Sequence, residues 1–582
     1  MRAKNIDKMI NMSSFKAYGK IDEAEQLKLE AHRKTRKRVT IISISSIILV
    51  CVIVGAVLGT SHSSRENSQS GGTSQSSAAT IKAVCDLTLY PNTCYSSLSP
   101  VLNNSSHIQP KDIFKLATQV AMNELSKVAQ YFSDHNAFNG SADNTTVAAL
   151  ENCVQLLSLA LDHLNMVLSS GSLTLLEAAD DLKTWLSSAG TYQDTCKEGF
   201  ETASATVKTS ITNWLQNSTE LTSNCLAIIS WISNVESSLK LRRLMSFTGH
   251  YEDPKWLNPK DRKLLQSWDV KKQANIIVAQ DGSGQYKNIS AALTAVPDKS
   301  TNRFVIYVKK GSYYENVKVN KNKWNIVMVG DGMNDTVVYG SLNNIDGTPT
   351  FSTATFAVTG KSFIAIDMGF RNIAGAIKHQ AVALLSDSDH SIFYRCFIDA
   401  FQDSLYAHTN RQFYSECNIT GTVDFIFGNS AVVFQNCNIL LKEPLLGQQN
   451  TITAQGKFDP NQNTGISIQN CTIFPYGYEN LSCQTYLGRP WKNYSTTVYI
   501  GNSLGSLIDS SGWLPWAGTS APDTIFYSEF QNYGPGSSTK DRVQWKGVKN
   551  MTSHQASKFT VSSFIKGDKW IPATGVPYKS GV

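Results

Sequence analysis

Four segments set the architecture: Phe393-Tyr-Arg-Cys396-Phe-Ile398, Phe413-Tyr-Ser-Glu-Cys417-Asn-Ile419, Phe434-Gln-Asn-Cys437-Asn-Ile439 and Ile468-Gln-Asn-Cys471-Thr-Ile473. The first three cysteines are 21 and 20 residues apart. No helical face or hairpin repeats at that interval, whereas a coil of about twenty residues stacked on its own copies does. The expected fold of residues 269–582 is therefore a parallel β-helix, right-handed and mainly β, in which equivalent residues of neighbouring turns stand one strand spacing apart, about 4.8 Å. Apolar runs bounded by turn residues, such as Phe304–Val308 and Ile326–Val329, suit strands covered on both sides. At that spacing Cys417 is within bridging reach of Cys437, with Cys396 as an alternative partner.

The same period aligns polar residues. Asp403 lies seven after Cys396 and Asp424 seven after Cys417, while Gln380 lies 22 before Gln402. A single aspartate here reads as a turn residue. Two aspartates and two glutamines in register among apolar neighbours need a chemical reason. Two carboxylates one coil apart do not both ionise readily, so a cation beside one favours a proton on the other. That division yields a nucleophile and a general acid, and two amides can donate to a developing oxyanion. Arg489 in Tyr486-Leu-Gly-Arg-Pro-Trp491 offers the cation, and Trp491 an apolar plate for a sugar ring. No Ser-His-Asp set and no Cys/His cluster with metal spacing is evident.

Upstream the texture is helical. Ile113, Leu116, Ala117, Val120, Ala121, Leu125 and Val128 keep the spacing of one apolar face, as do Leu150, Val154, Leu157, Leu161, Leu164 and Leu168. With two further stretches near 173–201 and 207–239, residues 80–240 are expected to form an all-α four-helix bundle. Cys85–Cys94 and Cys153–Cys196 are the expected disulfides there, leaving Cys225 free. Residues 241–268 read as a polar linker with two basic clusters, Arg242-Arg243 and Arg262-Lys263, as protease processing sites.

The chain has 582 residues, enough for several domains, and a net charge of +7. Residues 1–40 hold eleven Lys/Arg and five Asp/Glu, so that tail carries +6 and the remainder about +1. No basic nucleic-acid face follows. The tail precedes an uncharged run in which Ile41–Leu58 alone spans 18 residues. This predicts a cytosolic basic tail (1–40), a single transmembrane signal anchor (41–60) and a Ser/Gly-rich linker (61–79). A cleaved signal peptide is the alternative. Either way the body is exported, where its ten remaining cysteines can pair and sequons such as Asn139-Gly-Ser, Asn217-Ser-Thr and Asn334-Asp-Thr can be glycosylated.

Five ordered blocks carry a family resemblance: Gly311-Ser-Tyr313-Tyr-Glu315, Gln380-Ala-Val-Ala-Leu384, Phe401-Gln-Asp-Ser-Leu405, Gly421-Thr-Val-Asp-Phe-Ile-Phe-Gly428 and Tyr486–Trp491. They resemble the signatures of the pectin methylesterases, carbohydrate esterase family 8. The helical region, with Cys85-Asp-Leu-Thr-Leu-Tyr-Pro-Asn-Thr-Cys94, resembles that family's inhibitor-like pro-domain. The resemblance implies a secreted cell-wall enzyme, made as a membrane-threaded precursor, that removes methyl groups from pectin. It implies Asp424 as nucleophile, Asp403 as proton donor and acceptor, Gln380 and Gln402 at the oxyanion, and Arg489 orienting Asp424, with no metal or organic cofactor. Thr350, Trp491, Phe425 and Trp513 would contact the polysaccharide, as would Gln380 and Arg489. The basic clusters would be cut by a subtilase-type protease, and the helical domain would inhibit in cis until then. Phe401 and Ser404 depart from the family's usual Tyr and Thr. A β-helical glycosidase is the nearest rival, and the paired glutamines speak against it.

Overall fold

The computed structural model describes residues 73–102, 109–134, 143–170, 175–244, 270–477 and 481–582. From Thr80 onward they form one compact unit. Six helices come first: α1 (Thr73–Cys85), α2 (Pro91–Leu102), α3 (Pro110–Ser133), α4 (Asn144–Ser169), α5 (Leu175–Glu198) and α6 (Ala205–Leu244). The last four make the bundle. Proline in the first turn starts α3, and the Asp143 side chain caps α4 by accepting from the Thr146 amide at 2.7 Å. Leu125, Leu157, Leu182, Leu215 and Ile229 meet in the bundle's own core. Disulfides join Cys85 to Cys94 and Cys153 to Cys196, while Cys225 is a buried free thiol. The segment expected as linker over 61–79 is helical from Thr73, and α6 continues to Leu244, so Arg242 and Arg243 fall in its last turn.

Beyond residue 270 the chain winds as a parallel coil. Its strands lie in three sheets of eleven, seven and eight strands, with every ladder parallel. Register repeats coil by coil: Ile398 pairs with Ile419, Ile419 with Ile439, and Ile439 with Ile473. These isoleucines stack inside with Phe393, Tyr414 and Phe434, whose rings lie 4.8 Å apart at each step. The β-helix thus closes its hydrophobic core without the helices; among the described residues, Phe351 packs against the bundle's core from the β-helix side.

Cys417 and Cys437, expected as a disulfide, are instead free thiols, as is Cys396. Register pairs Asn418 with Asn438, so these cysteines project in parallel from adjacent coils. Their Cβ atoms then stand about one strand spacing apart, roughly 4.8 Å, wider than the roughly 3.8 Å a disulfide needs. The four cysteines Cys396, Cys417, Cys437 and Cys471 form a buried column of small apolar side chains.

Among the described residues no helix is long and apolar enough to cross a membrane. The basic tail, the span expected at 41–60 and the cluster at Arg262 and Lys263 lie outside the described residues.

Candidate active site

The polar residues singled out by the repeat collect on the seven-stranded sheet. Gln380 precedes strand Leu384–Ser386, Gln402 and Asp403 precede Leu405–Ala407, and Asp424 precedes Ile426–Gly428. Next come strand Asn450–Gln455, which carries Thr451, and Thr485–Gly488, which is followed by Arg489. These five strands are consecutive neighbours. Gln380 and Gln402 face each other across a parallel bridge, and the Asp403 amide donates to the Val423 carbonyl at 3.1 Å. Asp403 and Asp424 both adopt left-handed backbone conformations, with φ of 62° and 52°. Aspartate tolerates that region better than most residues, and the ladders on either side hold both in it.

Their surroundings differ. Asp424 accepts from Arg489 Nε at 2.8 Å and Nη2 at 2.6 Å, in a forked pairing. Thr451 Oγ1 donates to Asp424 Oδ1 at 2.7 Å and accepts from the Asp424 amide at 2.8 Å. Asp403 has no such cation. Burial, and then the neighbouring Asp424, push its carboxyl well above the usual carboxylate range, against a smaller opposing pull from Arg489. One carboxylate is clamped by a guanidinium while the other is favoured in its protonated form.

Two glycines shape the surrounding wall. A Cβ at Gly488 would stand 2.0 Å from Thr453 Oγ1, and one at Gly456 would stand 2.9 Å from Trp491. Arg489 and Trp491 can therefore reach the sheet only past residues without side chains. The Trp491 ring centroid lies 6.0 Å from that of Phe427 and 6.4 Å from that of Trp516, whose ring also covers the Arg489 guanidinium at 4.5 Å.

A cavity of about 490 Å³ opens over this constellation, lined by Gln380, Gln402, Asp403, Asp424, Arg489 and Trp491, with Thr350 at its edge. Phe425 and Trp513 do not reach it. Both are at most 1% exposed and belong to the interior core, Phe425 directly after the left-handed backbone of Asp424 and Trp513 packed between Tyr499 and Tyr527. Phe427 and Trp516, two and three residues further on, line the cavity instead. Thr451 was also missed; lying on the coil after Asp424, it carries no motif of its own. Among the described residues no three His, Cys, Asp or Glu side chains converge as metal ligands.

The roof of the cavity is the helical bundle, with Asn152, Thr195, Glu198 and Glu201 among its lining residues. Helix α5 lies along the sheet through a polar stripe. Asp181 meets Arg411 at 2.6 Å, Ser188 meets Asn410 at 3.0 Å, Tyr192 meets Thr409 at 3.1 Å and Thr195 meets His408 at 2.8 Å. At its end Asp194 pairs with Lys492 at 3.0 Å, and Glu198 contacts the same ammonium. Gly190 lets the helix sit close, since a Cβ there would be 3.3 Å from the Phe458 ring. The stripe's 3.6-residue period was present in the sequence, but polar residues at helical spacing read as a solvated face.

Comparisons with known proteins agree with this geometry. Residues 275–568 match the family model described as Pectinesterase, and residues 79–228 match Plant invertase/pectin methylesterase inhibitor. The chain is 52% identical over 570 residues to "Putative pectinesterase/pectinesterase inhibitor 24" of Arabidopsis thaliana, covering 97% of this chain and 99% of the relative. It is 47% identical over 593 residues to "Pectinesterase 3" of Phaseolus vulgaris, covering 98% and 100%. Among solved structures, "Pectin methylesterase from Carrot" is 52% identical with a TM-score of 0.52, covering 53% of this chain and 98% of its own length. A parallel coil bearing the aspartate pair, roofed by a helical bundle and matched by both family models, shows that the chain belongs to the pectinesterase family, in the form that joins the enzyme to an inhibitor-like domain.

Proposed function

We propose that Asp424 and Asp403 are the nucleophile and the acid–base of pectin demethylesterification, and that the helical domain holds the enzyme inactive in cis. The chain is a pectinesterase: it hydrolyses the methyl esters of pectin, leaving free carboxylates and methanol. The observation carrying the assignment is the contrast between the stacked aspartates, one forked to Arg489 and one buried without a cation. Asp424 attacks the C6 carbonyl of a methylated galacturonate. Gln380 and Gln402 donate to the tetrahedral oxyanion, Asp403 protonates the departing methanol, and it then takes a proton from the water that frees the acyl-enzyme. Arg489 orients Asp424, while Thr350, Trp491, Phe427 and Trp516 border the sugar.

Inhibition in cis follows from occupancy, because α5 runs where a polymer would enter. The contact is polar, unlike the apolar seam of a permanent interface, which suits a cover that is later released. Cutting by a processing protease at Arg242-Arg243 or Arg262-Lys263 would release it. The basic run before residues 41–60 supports a membrane-threaded precursor with the mature enzyme at the cell wall. Asn217 and Asn334 are exposed in their sequons and available for glycosylation.

The test is methanol release and polymer length measured together on methylated pectin, with Asp424→Asn as comparison. Methanol from intact chains, lost in the variant, is the expected result. Shortened chains without methanol would overturn the assignment in favour of a glycosidase or lyase.

A further inference from the structure

The cleft floor contains a cation that the reaction above does not use. Lys492 follows Trp491, and its ammonium lies 5.2 Å from that ring's centroid. Its ion-pair partners, Asp194 and Glu198, both belong to helix α5; among the described residues the β-helix supplies it with no carboxylate. Without the bundle, an ammonium would stand unneutralised beside an aromatic plate at the edge of the catalytic cavity.

Two more floor groups behave alike. His408 Nε2 lies 2.8 Å from the Thr195 hydroxyl, and Asn429 Nδ2 donates to the Thr191 hydroxyl at 2.8 Å. His408 is held from behind, its Nδ1 lying 2.5 Å from Asp387 Oδ1, so the ring presents its other nitrogen to the helix. Where Lys492, His408 and Asn429 meet α5, the gap left is about 10 Å³, hardly room for one water. The helix thus fills a trench with hydroxyls and carboxylates, the two functional groups that line a demethylated galacturonate chain.

We propose that Lys492, flanked by His408 and Asn429, forms a subsite for the free carboxylate of an already demethylated galacturonate next to the reacting ester, and that the Asp194 carboxylate, with the Glu198 carboxyl group beside it, occupies it as a surrogate in the precursor. This rests on the pectinesterase reading of the cleft. The chemistry closes on itself: each turnover leaves a carboxylate on the polymer, and a cation along the same cleft holds that product unit while its neighbour reacts. Lys492 is a specificity residue in this scheme, and it touches neither aspartate of the pair.

The test uses residues 270–582, whose core closes without the helices. Lys492→Met keeps the side-chain length and removes the charge, whereas Lys492→Arg keeps the charge. Methanol release is measured on fully methylated and on partly demethylated pectin, and binding of unmethylated oligogalacturonate is read by tryptophan fluorescence. A charge-assisted contact contributes about 1.5 kcal/mol or more, roughly tenfold. The expected result for Lys492→Met is a tenfold fall in the ratio of kcat/KM on partly demethylated over fully methylated pectin, with a matching tenfold loss of oligogalacturonate affinity. Lys492→Arg should restore both. An unchanged ratio with unchanged oligogalacturonate affinity in Lys492→Met would overturn the subsite. Methanol from neither polymer with the unsubstituted protein would overturn the esterase reading instead, and oligogalacturonate affinity would then decide the subsite on its own.

Discussion

Replacing Arg489 by lysine separates the charge of this side chain from its shape. The guanidinium approaches Asp424 through Nε at 2.8 and 3.1 Å and through Nη2 at 2.6 Å. A lysine ammonium preserves the charge but cannot hold both carboxylate oxygens in a planar fork, so at least one charge-assisted hydrogen bond is lost. Such a bond contributes about 1.5–3 kcal/mol. If it fixes the attacking oxygen in the transition state, kcat should fall roughly 10- to 160-fold. A second variant reads the charge itself. Arg489 pulls the Asp403 carboxyl down against burial and against Asp424. Arg489→Gln removes that pull, so Asp403 should keep its proton to higher pH. Since Asp403 is needed protonated to release methanol, activity is lost as pH rises through its elevated range, and this alkaline limb should move to higher pH in Arg489→Gln but not in Arg489→Lys. The assay is initial methanol release against pH at saturating pectin, with residues 270–582. A kcat within about threefold of the unsubstituted protein in Arg489→Lys, or an unmoved alkaline limb in Arg489→Gln, would refute this account of the pair.

Thr451→Val removes the hydroxyl that both caps the Asp424 amide and donates to its carboxylate; kcat should drop at least about tenfold and Thr451→Ser should recover it, as methanol release will report. Gly488→Ala places a Cβ against Thr453 Oγ1 and should cost about 1–3 kcal/mol of stability, measured by denaturant unfolding of residues 270–582, with activity lost as Arg489 shifts. Burial, and the nearby Asp194, push Glu198 up to about 8 despite Lys492. Once released, Glu198 is an ordinary carboxyl near 4.5, so the docked state binds the extra proton, and docking should weaken by at most tenfold per pH unit as pH rises from about 4.5 to about 8. Methanol release by the whole chain over that range should show this, and Glu198→Gln should flatten it.

The sequence carried the coil because its period is enforced by the ladders: one strand per sheet per turn leaves a twenty-residue interval that anything except an inserted loop preserves. The same periodicity brought the two aspartates and two glutamines together, since equivalent positions stack. It was uninformative where direction matters. Phe425 and Trp513 looked available beside the motif residues, yet Phe425, just past the left-handed backbone of Asp424, and Trp513, packed between two tyrosines, are turned inward, and Phe427 and Trp516 face the cleft. The cysteine column failed as a disulfide for a related reason, because stacking in register keeps neighbouring Cβ atoms parallel rather than converging. Thr451 and the polar stripe of α5 were invisible for a third reason. Both act through partners distant in sequence, Thr451 by 27 residues and Thr195 by 213, which no local pattern encodes.

The helical bundle roofs the cavity that holds the aspartate pair, and the most direct test of inhibition in cis compares methanol release by the whole chain with release by residues 270–582 at equal concentration. Rapid release by the shorter protein, slower release by the whole chain and recovery when the whole chain is cut between residues 244 and 270 are the predicted result. Equal rates from the two proteins would contradict the covered-cleft account, and release that persists in Asp424→Asn would contradict the chemistry assigned to the pair.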